Sequence, residues 1–266
     1  MPVEPAHVID RKSVDACASE TRPVGRAAGY HTWTDLLFLH WRVPIDLLRP
    51  LVPAGLEIET FDGDAWLGVV PFHIRGLRPW WFPAVPGLSE FHETNLRTYV
   101  RFDGRDPGVW FFSLDAACMP AVEIARWKWH LSYFNAAMDL VRREDRVLYR
   151  SHRRDRRSDR RAEVEIDVTI GDSLIREDET SVAPGTLEHF LAERYVLYAA
   201  DPNDCLYLGR VWHQPYQLRS AKLLHCRQTL SDALDVAIPE TPHHAMFCDG
   251  VNVEVFPISR ITSGRK

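Results

Sequence analysis

The segment 91–100 reads FHETNLRTYV. Side chains on a strand alternate between faces, so Glu93, Asn95, Arg97 and Tyr99 share one face. That face holds a carboxylate for proton transfer and a guanidinium for a carboxylate or enolate. It also holds an amide and a phenol that orient a ligand by hydrogen bonds. Burial in a dry enclosure would raise the pKa of Glu93, whereas a close approach of Arg97 would lower it. The two could also form a simple structural ion pair, and against open water the face would be ordinary surface. His92, Thr94, Leu96, Thr98 and Val100 occupy the opposite face, a milder mixture.

The elements that must position this strand are mostly strands themselves. Residues 36–43 alternate ahead of Pro44, which opens a short helix reaching Val52, with Asp46 in its first turn. Strands are predicted at 55–61, 65–75, 91–102 and 108–116, with turns at Asp62-Gly63-Asp64 and Asp103-Gly104. Pro120 opens a second helix bearing Val122, Ile124 and Trp129. Further strands fall at 134–142, 145–154, 161–171, 195–199, 205–212, 216–229 and 251–256, with a helix over 186–193. This pattern predicts a mainly antiparallel α+β domain, a closed or curled sheet with a few covering helices. Residues 1–29 read as an N-terminal tail or arm, 30–260 as one domain, and 261–266 as a C-terminal tail.

Composition narrows the function classes. Hydrophobic residues at 45% and charged residues at 26% suit a globular chain. A net charge of −5 gives no general reason to expect nucleic acid or an anionic membrane. No apolar run is long enough to span a bilayer, and the N-terminus lacks the apolar core of a secretory signal. Cys17, Cys118, Cys205, Cys226 and Cys248 are scattered and odd in number, which points to reduced thiols in a cytoplasmic protein. The run 150–161 (RSHRRDRRSDRR) is diluted by Asp155 and Asp159 and reads as a solvated hairpin tip rather than an anion or nucleic-acid site. The paired tryptophans Trp80/Trp81 and Trp127/Trp129 suit an aromatic core or a lined pocket.

Trp33-x-x-Leu36-x-Phe38-x-His40-Trp41-x-Val43-Pro44 is followed by Leu48-x-Pro50-x-Val52-Pro53-x-Gly55-Leu56. Gly63-x-Ala65-Trp66 and Val69-Val70-Pro71-Phe72 come next. With Glu93-x-Asn95-x-Arg97-x-Tyr99 and Glu193-Arg194-Tyr195, these motifs resemble the YqjF-like family of the acetoacetate-decarboxylase-like superfamily, over about residues 30–258. The resemblance implies a cone-shaped, mainly antiparallel closed β-barrel around a cavity, and no particular reaction. Against the decarboxylases themselves, Phe91-His92-Glu93 is similar to the segment whose glutamate lines the active site. The family's adjacent lysines, one forming a Schiff base, fall on Tyr133 and Phe134, in the segment that begins at Ala125-Arg126-Trp127. A decarboxylase arginine falls on Thr34. The imine machinery is therefore missing from its expected place.

A Schiff base needs a lysine of lowered pKa. Lys12 and Lys266 lie at the chain ends, and Lys128 and Lys222 read as surface lysines with partly covered stems. His40, His73 and His92 fall on predicted strands and His243-His244 in a loop, without the spacing of a metal site, so neither metal nor cofactor is expected.

The expected site takes Glu93, Arg97 and Tyr133 as catalytic residues and Asn95, Tyr99, Arg126 and His73 as ligand-binding ones. The expected function is binding, and lyase- or isomerase-like conversion, of a small organic acid or carbonyl compound without a Schiff base. Whether it is an enzyme stays open. The alternative is a non-catalytic ligand-binding or assembly protein of the same fold. A small-molecule ligand and a homo-oligomer are the expected partners, with no membrane; anion or nucleic-acid binding through the Arg150–Arg161 run is the third and least favoured reading.

Overall fold

The computed structural model describes residues 9–10, 20–158 and 160–261. Its strands are β1 (Ile9–Asp10), β2 (Gly29–Val43), β3 (Glu57–Thr60), β4 (Ala65–Pro79), β5 (Phe91–Phe102), β6 (Arg105–Ala116) and β7 (Tyr133–Arg143). They continue with β8 (Arg146–Arg153), β9 (Glu163–Ser173), β10 (Val196–Ala200), β11 (Leu206–Trp212), β12 (Leu218–Gln228), β13 (His244–Val255) and β14 (Ser259–Arg260). Among the described residues the helices of one turn or more are α1 (Ile45–Leu48), α2 (Met119–Trp129) and α3 (Leu187–Ala192). The α+β, mainly antiparallel reading holds.

The ladders run β5-β4-β2-β13-β12-β9-β8-β7-β6, and β6 pairs again with β5. A shorter path also returns, because β10 pairs with β6 and β11 with β13. Strands β6, β5, β4, β2 and β13 belong to both paths, so this sheet is covered on each side. One face packs Leu37, Leu39, Trp41 and Leu96 against Val147, Val164 and Ile166 of β8 and β9. The other packs Leu36, Phe38, Val70 and Tyr99 against Phe190 and Leu191 of α3 and against Tyr216. A sheet buried on both faces has near-continuous apolar strands, and LLFLHW in β2 is such a run.

Local chemistry sets the connections. Asp62 and Gly63 have φ of 51° and 86°, and Asp103 and Gly104 have φ of 51° and 67°. Both pairs supply the left-handed residues that a two-residue hairpin turn demands. Helix α2 carries the chain from β6 to β7, which therefore pair in parallel. Three expectations shift. The last long strand starts at His244, so that residue lies on β13 and not in a loop. The expected strand 65–75 runs on to Pro79. The arginine run is not wholly solvated: Arg153, at the end of β8, is buried and paired with Asp115 at 2.7 Å. Cys118, Cys205, Cys226 and Cys248 are free thiols, and Cys17 lies outside the described residues. No helix is long and apolar enough to cross a membrane among the described residues.

Candidate active site

Strand β5 puts Glu93, Asn95, Arg97, Tyr99 and Arg101 on one face, and all five are buried. Across the ladders Glu93 faces Phe72 and Ala116, Asn95 faces Val70 and Leu114, and Arg97 faces Gly68 and Phe111. The wall is thus apolar, and each polar group on it answers to its own neighbours.

At one end the Tyr133 hydroxyl donates to Glu93 Oε2 at 3.0 Å. Burial pushes the Glu93 carboxyl up to about 8, against the opposing effect of that hydrogen bond, with Asp115 adding to the rise. A carboxyl with this pKa holds its proton at neutral pH and can release it near pH 8. Burial and the Glu93 charge together push the Tyr133 phenol well above its ordinary value, so it acts as a hydrogen-bond donor. Behind this pair Asp115, raised by burial to about 6, is held by Arg153. Arg153 lies 4.0 Å from the Phe134 ring centroid. The adjacent Tyr133 and Phe134 therefore differ: Tyr133 touches the buried acid, and Phe134 packs under arginines.

At the other end Arg97 Nη2 donates to Leu191 O at 2.9 Å, and the Tyr99 hydroxyl donates to the same oxygen at 2.8 Å. This carbonyl belongs to the last turn of α3, where helix carbonyls lack partners and cations are favoured. The guanidinium lies 5.6 Å from the Phe38 and Tyr99 ring centroids. Among the described residues no carboxylate lies within ion-pairing distance of Arg97, and its Nε is buried without a partner. Glu93 and Arg97 do not pair. Asn95, between them, has its Oδ1 buried and unpartnered. His40 Nε2 is 2.6 Å from the Tyr99 hydroxyl, and burial, then Arg97, hold the imidazole well below its usual pKa and neutral.

Two expected ligand-binding residues stand apart from this face. His73 alternates with Phe72 on β4, and its Nδ1 meets His92 Nδ1 at 3.1 Å. Arg126 of α2 is engaged by Asp155 at 3.2 Å, behind the Phe134 ring. A cavity of about 10 Å³, the room of a single water, touches Phe72, Glu93, Met138 and Tyr149 but neither Asn95 nor Arg97. Lys222 is exposed on β12, while the Lys128 side chain, Lys12 and Lys266 lie outside the described residues.

Sequence reasoning missed Arg101 as part of this face, although it continues the odd-numbered alternation. It also missed Glu59, which lies on another strand with no motif around it. Glu59 pairs with Arg101 and, at 2.8 Å, with Arg194, all three nearly inaccessible to solvent.

Comparisons with known proteins agree with this architecture. The DUF2071 family model, described as an uncharacterized conserved protein, matches residues 30–252. The uncharacterized protein YqjF of Bacillus subtilis (strain 168) is 35% identical over 229 residues, 86% of this chain and 90% of that one. Both bear out the resemblance read from the motifs between Trp33 and Phe72. Among solved structures, the enduracididine biosynthesis enzyme MppR complexed with pyruvate aligns with a TM-score of 0.61 at 16% identity, over 90% of this chain and 92% of that one. An acetoacetate decarboxylase-like enzyme from Sphingomonas wittichii RW1 aligns at 0.59 and 15% identity, covering 90% and 95%. The acetoacetate decarboxylase of Legionella pneumophila aligns at 0.55 and 13% identity, covering 94% and 98%. At such identities the likeness establishes an acetoacetate-decarboxylase-like fold.

Proposed function

The chain belongs to the DUF2071 family, and from the site on its β5 strand we propose that it binds a small organic acid or carbonyl compound without a Schiff-base lysine. The observation that carries this reading is the buried Arg97 guanidinium, which lacks a carboxylate partner among the described residues. An ionised group out of water is costly unless an opposite charge meets it, and a ligand carboxylate supplies that charge. In this reading the two returning ladder paths form a closed, cone-shaped barrel whose interior the β5 face lines. Pyruvate bound to MppR supports a small acid as the ligand class.

The roles follow from the geometry. Arg97 takes the carboxylate, and Asn95 orients the group next to it. Glu93 exchanges a proton at the carbonyl end, with Tyr133 holding the carboxyl in place. Four residues of strand separate Glu93 from Arg97, roughly 13 Å at the usual rise, with Asn95 between them. Any enolate formed would be stabilised by fixed donors rather than by an imine.

Titration with a panel of oxo and hydroxy acids, followed by calorimetry, tests the binding step. At least one acid should bind the wild type and lose affinity in Arg97→Met. A panel in which no acid binds would overturn the proposal. Borohydride trapping with β-keto acids should leave the protein unmodified, and a covalent adduct on Lys128 or Lys222 would restore imine chemistry.

A second reading, binding without turnover, is favoured by the tight packing of Phe38, Tyr99, Phe190 and Tyr216 over the face. Deuterium exchange next to the carbonyl of a bound acid separates the two. Exchange that Glu93→Gln abolishes indicates proton shuttling, and its absence indicates a binding protein.

A further inference from the structure

Two sequence features take no part in the β5 site: the tryptophan-bearing segment 80–88 and the arginine run 150–161. The fold brings the end of the first to the N-terminus of α2 and the second alongside the helix. Leu88 O accepts from Cys118 Sγ at 3.6 Å, directly ahead of the helix. Along the helix, Glu123 takes Arg157 Nη2 at 2.5 Å and Arg126 reaches Asp155 at 3.2 Å. Loop, helix and arginine tip are the β4–β5, β6–β7 and β8–β9 connections, and all three leave the same end of the sheet.

Its centre is apolar and exposed. Trp81 keeps 67% of its surface in solvent and Trp127 keeps 81%, with Trp80, Phe82, Met119 and Ile124 also exposed. Large apolar side chains gathered in this way mark an interaction surface. Its rim is basic: Arg154, Arg156, Arg157 and Arg161 are exposed on one flank, and Arg26 stacks 4.4 Å over Trp80 on the other. The acids Glu123 and Asp155 are both engaged by arginines, Glu90 is exposed beside the loop, and Asp159 lies outside the described residues.

We propose that this face docks on an anionic phospholipid surface. Tryptophan and phenylalanine settle at the headgroup level, and arginines beside them meet the lipid phosphates. Each basic residue near such a surface adds to its attraction. A two-fold contact between copies of this face would instead set its arginines against each other. A nucleic acid would use the arginines and tryptophans but leave Met119 and Ile124 without a base to stack on. The sequence-based expectation of no membrane partner rested on whole-chain properties, the net charge of −5 and the lack of a spanning segment. Peripheral docking depends on local charge and local apolar exposure.

Co-sedimentation of the full chain with vesicles tests this. Phosphatidylglycerol–phosphatidylcholine vesicles should retain the protein, phosphatidylcholine alone about tenfold less, and added salt should weaken retention. The double variant Trp81→Ser/Trp127→Ser and the triple variant Arg154→Gln/Arg156→Gln/Arg161→Gln should each bind about tenfold more weakly. Their circular dichroism should match the wild type. Failure of the wild type to sediment with anionic vesicles at low salt overturns the proposal. So does equal retention by both vesicle types. Concentration-dependent dimerisation or single-strand oligonucleotide binding, lost in these variants in place of vesicle binding, overturns it too.

Discussion

Arg97 and Arg101 lie four residues apart on the same face of β5, both buried, yet their surroundings differ. Arg101 meets the Glu59 carboxylate, which also takes Arg194 at 2.8 Å. Arg97 meets a backbone carbonyl and a phenol, with no carboxylate in reach among the described residues. One charge shares the Glu59 carboxylate with Arg194 inside the fold and serves it. The other is held in place but not neutralised, which is the condition in which a site waits for an anion. A motif alone would not separate them, because both are arginines on one strand at equivalent phase.

The largest effect expected from this contrast is on stability. Glu59→Gln takes the shared carboxylate from Arg101 and Arg194 and leaves both guanidiniums buried without an opposite charge, so it should cost about 3–5 kcal/mol. Urea unfolding measures this, and a cost below about 1 kcal/mol would erase the distinction between the two arginines.

Next comes the pH dependence set by Glu93. Its folded pKa of about 8 stands above the ordinary 4.5, so the folded state keeps a proton that the unfolded chain releases. Stability is then full below about pH 4.5 and falls as pH rises to about 8, where the slope flattens. Asp115, raised to about 6, adds the same sign at lower pH. His31 and His213, lowered by burial to about 4, act oppositely, and their contribution is lost as pH falls below 6.5. Glu93→Gln should remove most of the alkaline slope, on the order of several kcal/mol between about pH 5 and 8. Urea unfolding at a series of pH values reads it, and an unchanged slope would mean that Glu93 is not the buried acid.

Arg97→Met sharpens the contrast from the other side. An uncompensated buried ion replaced by an apolar side chain should leave stability within about 1 kcal/mol, since Tyr99 still serves Leu191 O. Ligand affinity should fall about tenfold to a hundredfold, as expected for a lost charged hydrogen bond. The pairing of these two results is what Glu59→Gln cannot reproduce. Tyr99→Phe is the smallest change, about 1–2 kcal/mol for the hydroxyl's bonds to that carbonyl and to His40 Nε2, visible as a drop in Tm.

Much of this architecture is legible from residue order. The period of two along 91–100 places Glu93, Asn95, Arg97 and Tyr99 together, and the Asp-Gly pairs mark two hairpins. The motif blocks from Trp33 onward name the family. The partner of each polar group is not legible, because it comes from elements distant in the chain: Tyr133 reaches Glu93 across 40 positions, and Leu191 reaches Arg97 across 94. The same reason explains why His73 and Arg126 could be grouped with the site although they stand outside its face. The arginine run read as a solvated tip for the same cause, since the acid that buries Arg153 lies on β6.

By itself, the sequence determined the strand face and the types of side chain that share it. These are local facts, set by side-chain alternation and residue identity. Only the tertiary structure decided which charges are answered, because neutralising a buried ion depends on what the rest of the chain brings within about 4 Å. It gave Glu93 a phenol, Arg101 a carboxylate and Arg97 only a carbonyl with its neighbouring phenol, and from that difference the candidate site follows.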